Sequence, residues 1–323
     1  MWEEGHGPDG EDRRLGLAVS GGPDSLALLV LAHAALPGRI EVASVDHGLR
    51  AESASEAAFV AQVCETLDIP CGVLTVDVGP GNLQDRARQA RYDALAQHFA
   101  SRGIDAIATA HHADDQAETV LMRLNRGSGL AGLAGIRARS VRPLPSGAQE
   151  YLVVRPLLHW RRDELAGIVA ECGLTPVRDP SNEDERFDRV QVRKALAGLP
   201  WLDPLAIAMS ARNLQDAEPV IEDAVAQAWR DCVHRQDADR DDGIVWFEFD
   251  HPRAVEIEVV QRILRSFGAS ARGSATARLV ERLYAHGAGS LGGVAAKRAL
   301  YSGAPGDSVD AWKFEREPPR RTE

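Results

Sequence analysis

Short apolar runs alternate with segments of helical periodicity along the first 125 residues of the chain. The runs are five to eight residues long and lie at Leu15–Val19, Ile40–Val45, Cys71–Val78 and Ile104–Ala110. Between them, apolar residues recur at the spacing of one helix face, which predicts helices at Leu26–Ala35, Ala57–Leu67, Asn82–Ala100 and Asp114–Leu124. Strands that alternate with helices predict βαβ units, so we expect an α/β fold whose parallel sheet carries helices on both faces.

After Arg126 the pattern becomes irregular and rich in glycine and arginine. The elements predicted there are a strand at Tyr151–Val154, helices at Arg161–Cys172, Arg186–Ala197 and Leu205–Arg235, a strand at Ile244–Phe249, two further helices and a glycine-rich hairpin at Gly287–Gly293. We therefore predict a flexible tail over residues 1–14, a large domain over 15–200, a connecting helix over 201–235, and a smaller, mainly helical α+β domain over 236–323.

Composition is that of a folded protein. Of the 323 residues, 44% are apolar and 26% are charged, which is too apolar for a disordered chain. The first residues are polar and no stretch reaches the roughly 18 apolar residues of a membrane span, so we expect a cytoplasmic protein without membrane contact. The four cysteines form no C-x-x-C pair, which disfavours a zinc ribbon, an iron–sulfur cluster and a disulfide framework and predicts buried thiols.

Charge is distributed unevenly along the chain. The formal net charge is −11, which argues against indiscriminate binding of nucleic acid. Residues 120–200 nevertheless carry 13 basic and 9 acidic side chains. Of the 37 basic side chains in the chain, only Lys194, Lys297 and Lys313 are lysines, and the guanidinium group suits phosphate better than ammonium does. An anionic partner is therefore expected to meet the middle third.

The first candidate site is Ser20-Gly-Gly-Pro-Asp-Ser25, where the first strand meets the first helix. Glycines allow a sharp turn that presents N–H groups, and a helix N-terminus favours an anion. The serine hydroxyls can donate to phosphate oxygens, and Asp24 is a candidate ligand of Mg²⁺. The lysine of a Walker A loop is absent. The alternative is a glycine-rich turn whose polar residues cap the helix.

The second candidate site is Thr109-Ala-His-His-Ala-Asp-Asp-Gln-Ala-Glu-Thr119, at the end of the fourth strand. Asp115 and Glu118 are three residues apart and share a helix face, so both carboxylates are expected at the crevice beyond the strand ends. Such a pair can grip an ammonium group, bind Mg²⁺ or act as a general base. The alternative is an acidic first turn that complements the helix dipole. His111 and His112 lack a third ligand at suitable spacing, which disfavours zinc.

These residues carry a resemblance to a known family. Residues 20–25 match the S-G-G-x-D-S signature of the PP-loop ATP pyrophosphatases, which split ATP between its α- and β-phosphates. Together with the block from His111 to Leu133, they make the chain resemble the tRNA(Ile)-lysidine synthetases from Leu15 to about Lys194. Further matching blocks are Asp46–Arg50, Arg155–Leu158, Asp179–Asn182 and Phe187–Arg193. The order and spacing of the blocks make the resemblance specific.

The resemblance implies a ligase that joins free L-lysine to the carbonyl carbon of the wobble cytosine in the CAU anticodon of minor tRNA(Ile). ATP, with Mg²⁺, adenylates the cytosine with release of pyrophosphate, and lysine then displaces AMP to give lysidine. The domain over residues 15–200 would be the catalytic PP-loop domain, and the C-terminal domain would contact tRNA. Because members of the family often pair, a homodimer is a candidate arrangement.

The resemblance and the motifs together assign roles to individual residues. The candidate catalytic residues are Asp24, Asp115, Glu118 and Arg126. The candidate ATP-binding residues are Ser20, Gly21, Gly22, Pro23, Asp24, Ser25, Asp46, His47 and His111. For lysine, Asp115 and Glu118 suit an ammonium group and Arg189 and Arg193 suit the carboxylate. The candidate tRNA-binding residues are Arg86, Arg88, Arg91, Arg137 and Arg139.

Two departures from the family pattern stand out. The usual Arg-Asn pair reads Arg189-Val190, and the C-terminal part resembles the short form with one domain. Other interpretations are tRNA thiolation, which usually needs paired cysteines that this chain lacks, and an amide-forming ATP pyrophosphatase that acts on a small metabolite. A non-catalytic nucleotide or RNA binder is a third, which the intact phosphate loop and carboxylate pair oppose. The spacing of Trp201, Trp229 and Trp246 predicts core positions for these side chains.

Overall fold

The computed structural model describes residues 13–46, 48, 52–76, 83–147, 149–177, 188–236, 243–304 and 307–317. The strands are β1 (Leu15–Ala18), β2 (Ile40–Asp46), β3 (Cys71–Thr75), β4 (Ala106–Ala108), β5 (Arg139–Pro143), β6 (Glu150–Val154), β7 (Val233–Gln236), β8 (Ile244–Glu248), β9 (Ala288–Leu291), β10 (Val294–Ala304) and β11 (Asp307–Arg316). The helices are α1 (Pro23–Ala35), α2 (Glu52–Thr66), α3 (Leu83–Ser101), α4 (Ala113–Asn125), α5 (Leu130–Leu133), α6 (Arg162–Glu171), α7 (Asp188–Ala197), α8 (Pro204–Cys232), α9 (Arg253–Ser266) and α10 (Gly273–His286). The chain divides into a first unit, residues 1–122 and 135–211, and a second unit, residues 123–134 and 212–323.

The first unit is built on a six-stranded sheet in the order β3-β2-β1-β4-β6-β5. All neighbouring strands are parallel except β5, which runs antiparallel to β6 at one edge. Leu17 and Val42, in the central strands, are completely buried, as expected for apolar runs covered on both faces. The predicted α/β class with a mostly parallel sheet is confirmed.

Helices cover both faces of this sheet. The successive residues Val42 and Ala43 point to opposite faces, and each belongs to a different apolar cluster. One cluster includes residues of α1, α2 and α6, and the other includes residues of α3. A Cβ atom at Gly16 would lie 2.8 Å from the ring of Phe99, so the missing side chain lets α3 pack closely against β1.

The strand order places a switch point beside β1. The chain leaves β1 through α1 to form β2 on one side, whereas β4 pairs with β1 on the other side. Open α/β sheets bind ligands beyond the carboxyl ends of the strands at such a point. The two motifs follow directly, because β1 ends at Ala18 and β4 ends at Ala108.

The second unit contains a five-stranded antiparallel sheet in the order β7-β8-β11-β10-β9. Its core joins Phe247, Trp312 and Phe314 of the strands to apolar residues of α9 and α10, such as Val259 and Leu279. The predicted α+β character is confirmed, and the glycine-rich hairpin is β9 and the start of β10. The sheet is larger than predicted because β10 and β11 form a long second hairpin.

Several local predictions were wrong. The helix predicted to reach Arg235 ends at Cys232, and the next four residues form β7 because they pair with β8. Strand β5 was missed because its sequence, Arg-Ser-Val-Arg-Pro, contains no apolar run. Trp201 was predicted in the core, yet its side chain is 76% exposed. Cys172 is exposed rather than buried, whereas Cys64 is buried as predicted.

Candidate active site

The phosphate loop, residues 20–25, joins β1 to α1. Gly21 has a φ of +83°, and its carbonyl oxygen accepts a hydrogen bond of 3.0 Å from the N–H of Val177. A Cβ atom at Gly21 would lie 3.2 Å from the Val177 side chain, so both the backbone angle and the packing require glycine. Gly22 is the N-cap of α1, and Pro23 lies in its first turn. The sequence thus places a helix N-terminus, which favours anions, at the end of β1.

The side chain of Ser25 holds this loop in shape. Its hydroxyl oxygen accepts a hydrogen bond from the N–H of Ser20 at 3.2 Å and donates one to the carbonyl oxygen of Gly22 at 2.9 Å. The hydroxyl of Ser20 lies 3.3 Å from that of Ser25. Ser25 is buried and Ser20 is exposed, so the first serine faces the solvent side of the loop while the second supports its backbone.

A cavity of about 380 Å³ opens beside the phosphate loop. Its walls include Ser20 and Asp24 of the loop, His111 and Asp115 of the second motif, and Arg189 of α7. Volumes of roughly 300–1,000 Å³ are usual for small-molecule sites. The two motifs that the sequence singled out therefore share one crevice, which is called the loop crevice below.

His112 lies fully buried between three carboxylates. Its Nε2 is 3.4 Å from Asp24 Oδ2 and 3.5 Å from Asp115 Oδ2, and its Nδ1 is 3.5 Å from Asp114 Oδ2. Burial alone would lower the pKa of His112, but Asp114 and Asp24 outweigh that effect and raise the pKa to about 9. His112 is therefore a charged imidazolium at neutral pH. It links the phosphate loop to the carboxylates of α4.

His111 has the opposite electrostatic character. Its Nδ1 lies 2.9 Å from the hydroxyl of Thr109. Burial lowers the pKa of His111 to about 3, and the positive charges of Arg155 and Arg88 act in the same direction. The imidazole is therefore neutral at the wall of the loop crevice, and two adjacent histidines of the motif hold different charges.

The four residues predicted to bind lysine form one ion-paired group, the acid–arginine cluster of Asp115, Glu118, Arg189 and Arg193. Arg189 Nη2 is 2.7 Å from Asp115 Oδ1, and its Nε is 2.6 Å from Glu118 Oε2. Arg193 Nε is 2.7 Å from Glu118 Oε1. The shared helix face predicted for the two carboxylates is present. Each carboxylate already accepts hydrogen bonds from an arginine of α7.

The acid–arginine cluster separates two cavities. Asp115 and Arg189 line the loop crevice, whereas Glu118 and Arg193 line a second cavity of about 400 Å³ together with Arg162. The side chain of Glu118 is only 1% exposed, and Arg162 Nη2 lies 3.7 Å from its Oε1. Burial alone would raise the pKa of Asp115, but the charges of His112 and Arg189 keep that pKa below its ordinary value. The Asp115 carboxylate is thus stabilised as an anion.

Among the described residues there is no membrane-spanning helix and no cluster of side chains that could hold a metal ion by itself. No described helix has the length and apolar character needed to cross a bilayer. Within the same residues, no group of three or more His, Cys, Asp or Glu side chains is arranged to hold a metal ion.

Comparisons with known proteins identify the family. A family model described as a PP-loop domain matches residues 5–199. A protein of Novosphingobium aromaticivorans named tRNA(Ile)-lysidine synthase is 45% identical over 313 residues, which cover 96% of this chain and 91% of that protein. A protein of Zymomonas mobilis with the same name is 38% identical over 95% of this chain and 90% of its own length. The chain belongs to the tRNA(Ile)-lysidine synthase family.

A solved structure supports the fold alone. The U34-tRNA thiolase NcsA from Methanococcus maripaludis, determined with its [4Fe-4S] cluster, covers 67% of this chain and 74% of its own, with a TM-score of 0.51 and 19% identity. The predicted resemblance to the lysidine synthase family is thus confirmed by its relatives, and the PP-loop architecture by the family model.

Other residues that the lysidine synthase motifs singled out are placed as follows. Asp46 ends β2, and its Oδ1 accepts hydrogen bonds from the N–H of Gly48, at 2.9 Å, and from the hydroxyl of Ser53. His47 and the block Asp179–Asn182 lie outside the described residues. Arg126 is exposed in the second unit, so its catalytic role stays a prediction. The exposed arginines among the candidates for tRNA binding are Arg86, Arg88, Arg137 and Arg139.

Three side chains of this lysidine synthase family member have surroundings that the sequence analysis does not predict. Val190, which stands where the family usually has asparagine, is a buried residue of α7 and contributes packing. The sequence analysis treats His112 only as a possible metal ligand. The aspartates two and three residues later, Asp114 and Asp115, are the signal that could have indicated a positively charged histidine. Arg91, which the sequence predicts to bind tRNA as part of an arginine row on α3, also lines the loop crevice, and its role in tRNA binding stays a prediction.

Proposed function

We propose that the protein ligates free L-lysine to the carbonyl carbon, C2, of the wobble cytosine in the CAU anticodon of minor tRNA(Ile), with ATP as co-substrate. One observation carries the proposal. The phosphate loop and the Asp115–Arg189 pair line the same crevice in a member of the lysidine synthase family. The proposed setting is the cytoplasm, where ATP, lysine and tRNA meet, and a homodimer is the proposed assembly.

The first step is adenylation of the cytosine. Its O2 attacks the α-phosphorus of ATP, the bond to the β-phosphate oxygen breaks, and pyrophosphate leaves. The phosphate loop and the N-terminus of α1 would hold the departing pyrophosphate through N–H groups and the Ser20 hydroxyl. The imidazolium of His112 behind Asp24 adds fixed positive charge near these phosphates.

Asp24 suits a magnesium ion in this step. Its Oδ1 is buried and has no hydrogen-bond partner among the described residues, while its Oδ2 lies near His112. Mg²⁺ usually takes one or two protein carboxylates and completes its shell with phosphates and water. The lone aspartate therefore fits a magnesium ion held largely by ATP, which would neutralise phosphate charge.

The second step is attack by the ε-amine of lysine on C2 of the adenylated cytosine, after which the C2–O2 bond breaks and AMP leaves. The ammonium group must first lose a proton, to a carboxylate or to water, because its ordinary pKa is about 10.4. We propose that the carboxylate of Asp115, at the wall of the loop crevice, binds the ammonium group of the incoming lysine. Arg189 and Arg193 would release hydrogen bonds from Asp115 and Glu118 to bind the lysine carboxylate.

Formation of AMP tests this function directly. Purified protein should release AMP from ATP only when both lysine and tRNA(Ile) with a CAU anticodon are supplied, and labelled lysine should appear in the RNA. With tRNA but no lysine, it should release pyrophosphate alone, because the AMP group stays bonded to the cytosine. Release of AMP without any requirement for tRNA would overturn the substrate assignment and favour a small metabolite.

The variant Asp24→Ala should abolish AMP formation while the melting temperature stays near that of the parent protein. Asp105→Ala is the matched control, because Asp105 lies at the amino end of β4, whereas the phosphate loop follows the carboxyl end of β1. Within the described residues, the ion pair of Asp105 is with the exposed Arg13. Turnover that survives Asp24→Ala would show that the phosphate loop was assigned wrongly.

A further inference from the structure

A second group of arginines surrounds Tyr92 of α3. The guanidinium carbon of Arg142 lies 4.3 Å from the centre of the Tyr92 ring, and those of Arg88 and Arg91 lie 5.4 and 5.6 Å from it. Arg155, directly after β6, lies beside the same tyrosine. These four arginines and Tyr92 form the Tyr92 cluster. The ring is buried, and its electron-rich face attracts these cations.

The described residues give the Tyr92 cluster no ion-paired acid. No described carboxylate lies within ion-pair distance of any of its four guanidinium groups. The Nε of Arg155 is buried without a hydrogen-bond partner, although the rest of that group donates to Arg137 O at 2.8 Å and Ser140 Oγ at 3.1 Å. Burial lowers the pKa of Arg91, and the nearby charge of Arg88 lowers it further. Uncompensated buried charge costs free energy, which an anionic ligand would recover.

The position of the Tyr92 cluster connects it to the site. Arg91 lines the loop crevice, and the charges of Arg155 and Arg88 reach His111 in the wall of that crevice. The phosphate loop enters the crevice from β1 and α1, whereas the cluster enters from α3 and the β5–β6 hairpin. One crevice therefore contains two separate arrangements that favour anions. Arg88 is exposed, so a large ligand can reach the cluster from solvent.

We propose that the Tyr92 cluster binds a backbone phosphate of the tRNA substrate next to the nucleotide that enters the loop crevice, while the phosphate loop binds ATP. This inference rests on the proposed function for the identity of the RNA. A phosphate offers three acceptor oxygens and suits several guanidinium groups at once. Bound there, it would also hold the RNA chain while the wobble base leaves its stack.

Binding measurements distinguish RNA from ATP as the source of the phosphate. The probes are a fluorescent anticodon stem-loop of tRNA(Ile) with the CAU sequence and, separately, ATP. The variants are Arg88→Gln, which changes an exposed side chain, and Arg88→Gln/Arg142→Gln. The matched control is Arg39→Gln, since Arg39 is exposed and lies at the amino end of β2, whereas the loop crevice lies beyond the carboxyl ends of the strands. Melting temperatures confirm that each variant folds.

The double variant should bind the stem-loop about tenfold more weakly, with an ATP dissociation constant within about twofold of the parent value. The slope of log K against log salt should also fall by about 0.7, the value for one phosphate contact with single-stranded RNA. Arg39→Gln should change neither quantity. Unchanged RNA binding, weaker ATP binding, or a parent protein that binds no stem-loop would each overturn the proposal.

The outcome is separable from that of the proposed function. If the parent protein binds the stem-loop through the Tyr92 cluster but makes no lysidine, the proposed reaction fails and the phosphate site stands. If lysidine forms and the double variant binds RNA normally, the reaction stands and the phosphate site fails.

Discussion

The acid–arginine cluster and the Tyr92 cluster lie in the same unit and differ in their counter-charges. In the first, Arg189 and Arg193 are matched by Asp115 and Glu118 at 2.6 to 2.7 Å. In the second, three arginines lie over the Tyr92 ring and Arg155 lies beside it, and no described carboxylate is within ion-pair distance of the four. Paired charges fix the positions of helices, whereas unpaired charges favour an incoming anion. The partner of an arginine, rather than the arginine itself, therefore indicates its role.

The largest change in stability is expected when the acid–arginine cluster loses its buried carboxylate. Glu118→Ala removes the carboxylate that pairs with Arg193 and one of the two carboxylates that pair with Arg189. Because Glu118 is nearly inaccessible, we expect the free energy of unfolding to fall by about 4 kcal/mol. Chemical denaturation measures the change. Glu171→Ala, at an exposed position of α6, is the control and should cost less than about 0.5 kcal/mol.

A somewhat smaller change in stability is expected when the pH is raised, because the imidazolium of His112, which lies between Asp24, Asp114 and Asp115, loses its charge. The folded-state pKa of His112 is about 9, above the ordinary 6.5, so its contribution is fully present below pH 6.5 and is lost as the pH rises through 9. The difference corresponds to about 3 kcal/mol. Denaturation at pH 6 and pH 10 should therefore show a loss of stability that His112→Gln largely removes. A parallel loss in parent and variant would contradict this pKa.

The smallest change in stability is expected for a substitution in the Tyr92 cluster. Arg142→Gln removes a stacked cation and also relieves repulsion from its neighbours, so stability should change by less than about 0.5 kcal/mol. Arg193→Gln, which strips one partner from Glu118, should cost about 2 kcal/mol. Thermal unfolding of the two variants side by side measures this contrast. Equal losses would mean that both clusters serve only to hold the fold together.

The sequence predicts the parts of the site that depend on neighbours along the chain. Gly21 and Gly22 indicate a tight turn before a helix, and the three-residue spacing of Asp115 and Glu118 indicates a shared face. Both features are present because turn geometry and helix periodicity act locally. The alternation of strands and helices likewise predicts the central parallel sheet.

The pairing of charges across the fold could not be predicted from the sequence. Arg189 meets Asp115 from a helix 74 residues further along the chain, and no local pattern selects that partner. The same holds for Arg142, which reaches Tyr92 from β5, a strand whose polar sequence gives no apolar signal. Tertiary packing also decides that Trp201 is exposed although its residue type favours the core.

Strand β5 has a consequence for the behaviour of the protein in concentrated solution. It is an edge of the six-stranded sheet, so one row of its backbone N–H and C=O groups faces away from β6. Such an edge is a template on which a second chain can add a strand and begin aggregation. Arg139 and Arg142 place positive charge along this edge, and Pro143 ends it without an N–H group. The arginines that we propose for RNA binding would therefore also oppose strand addition between two molecules.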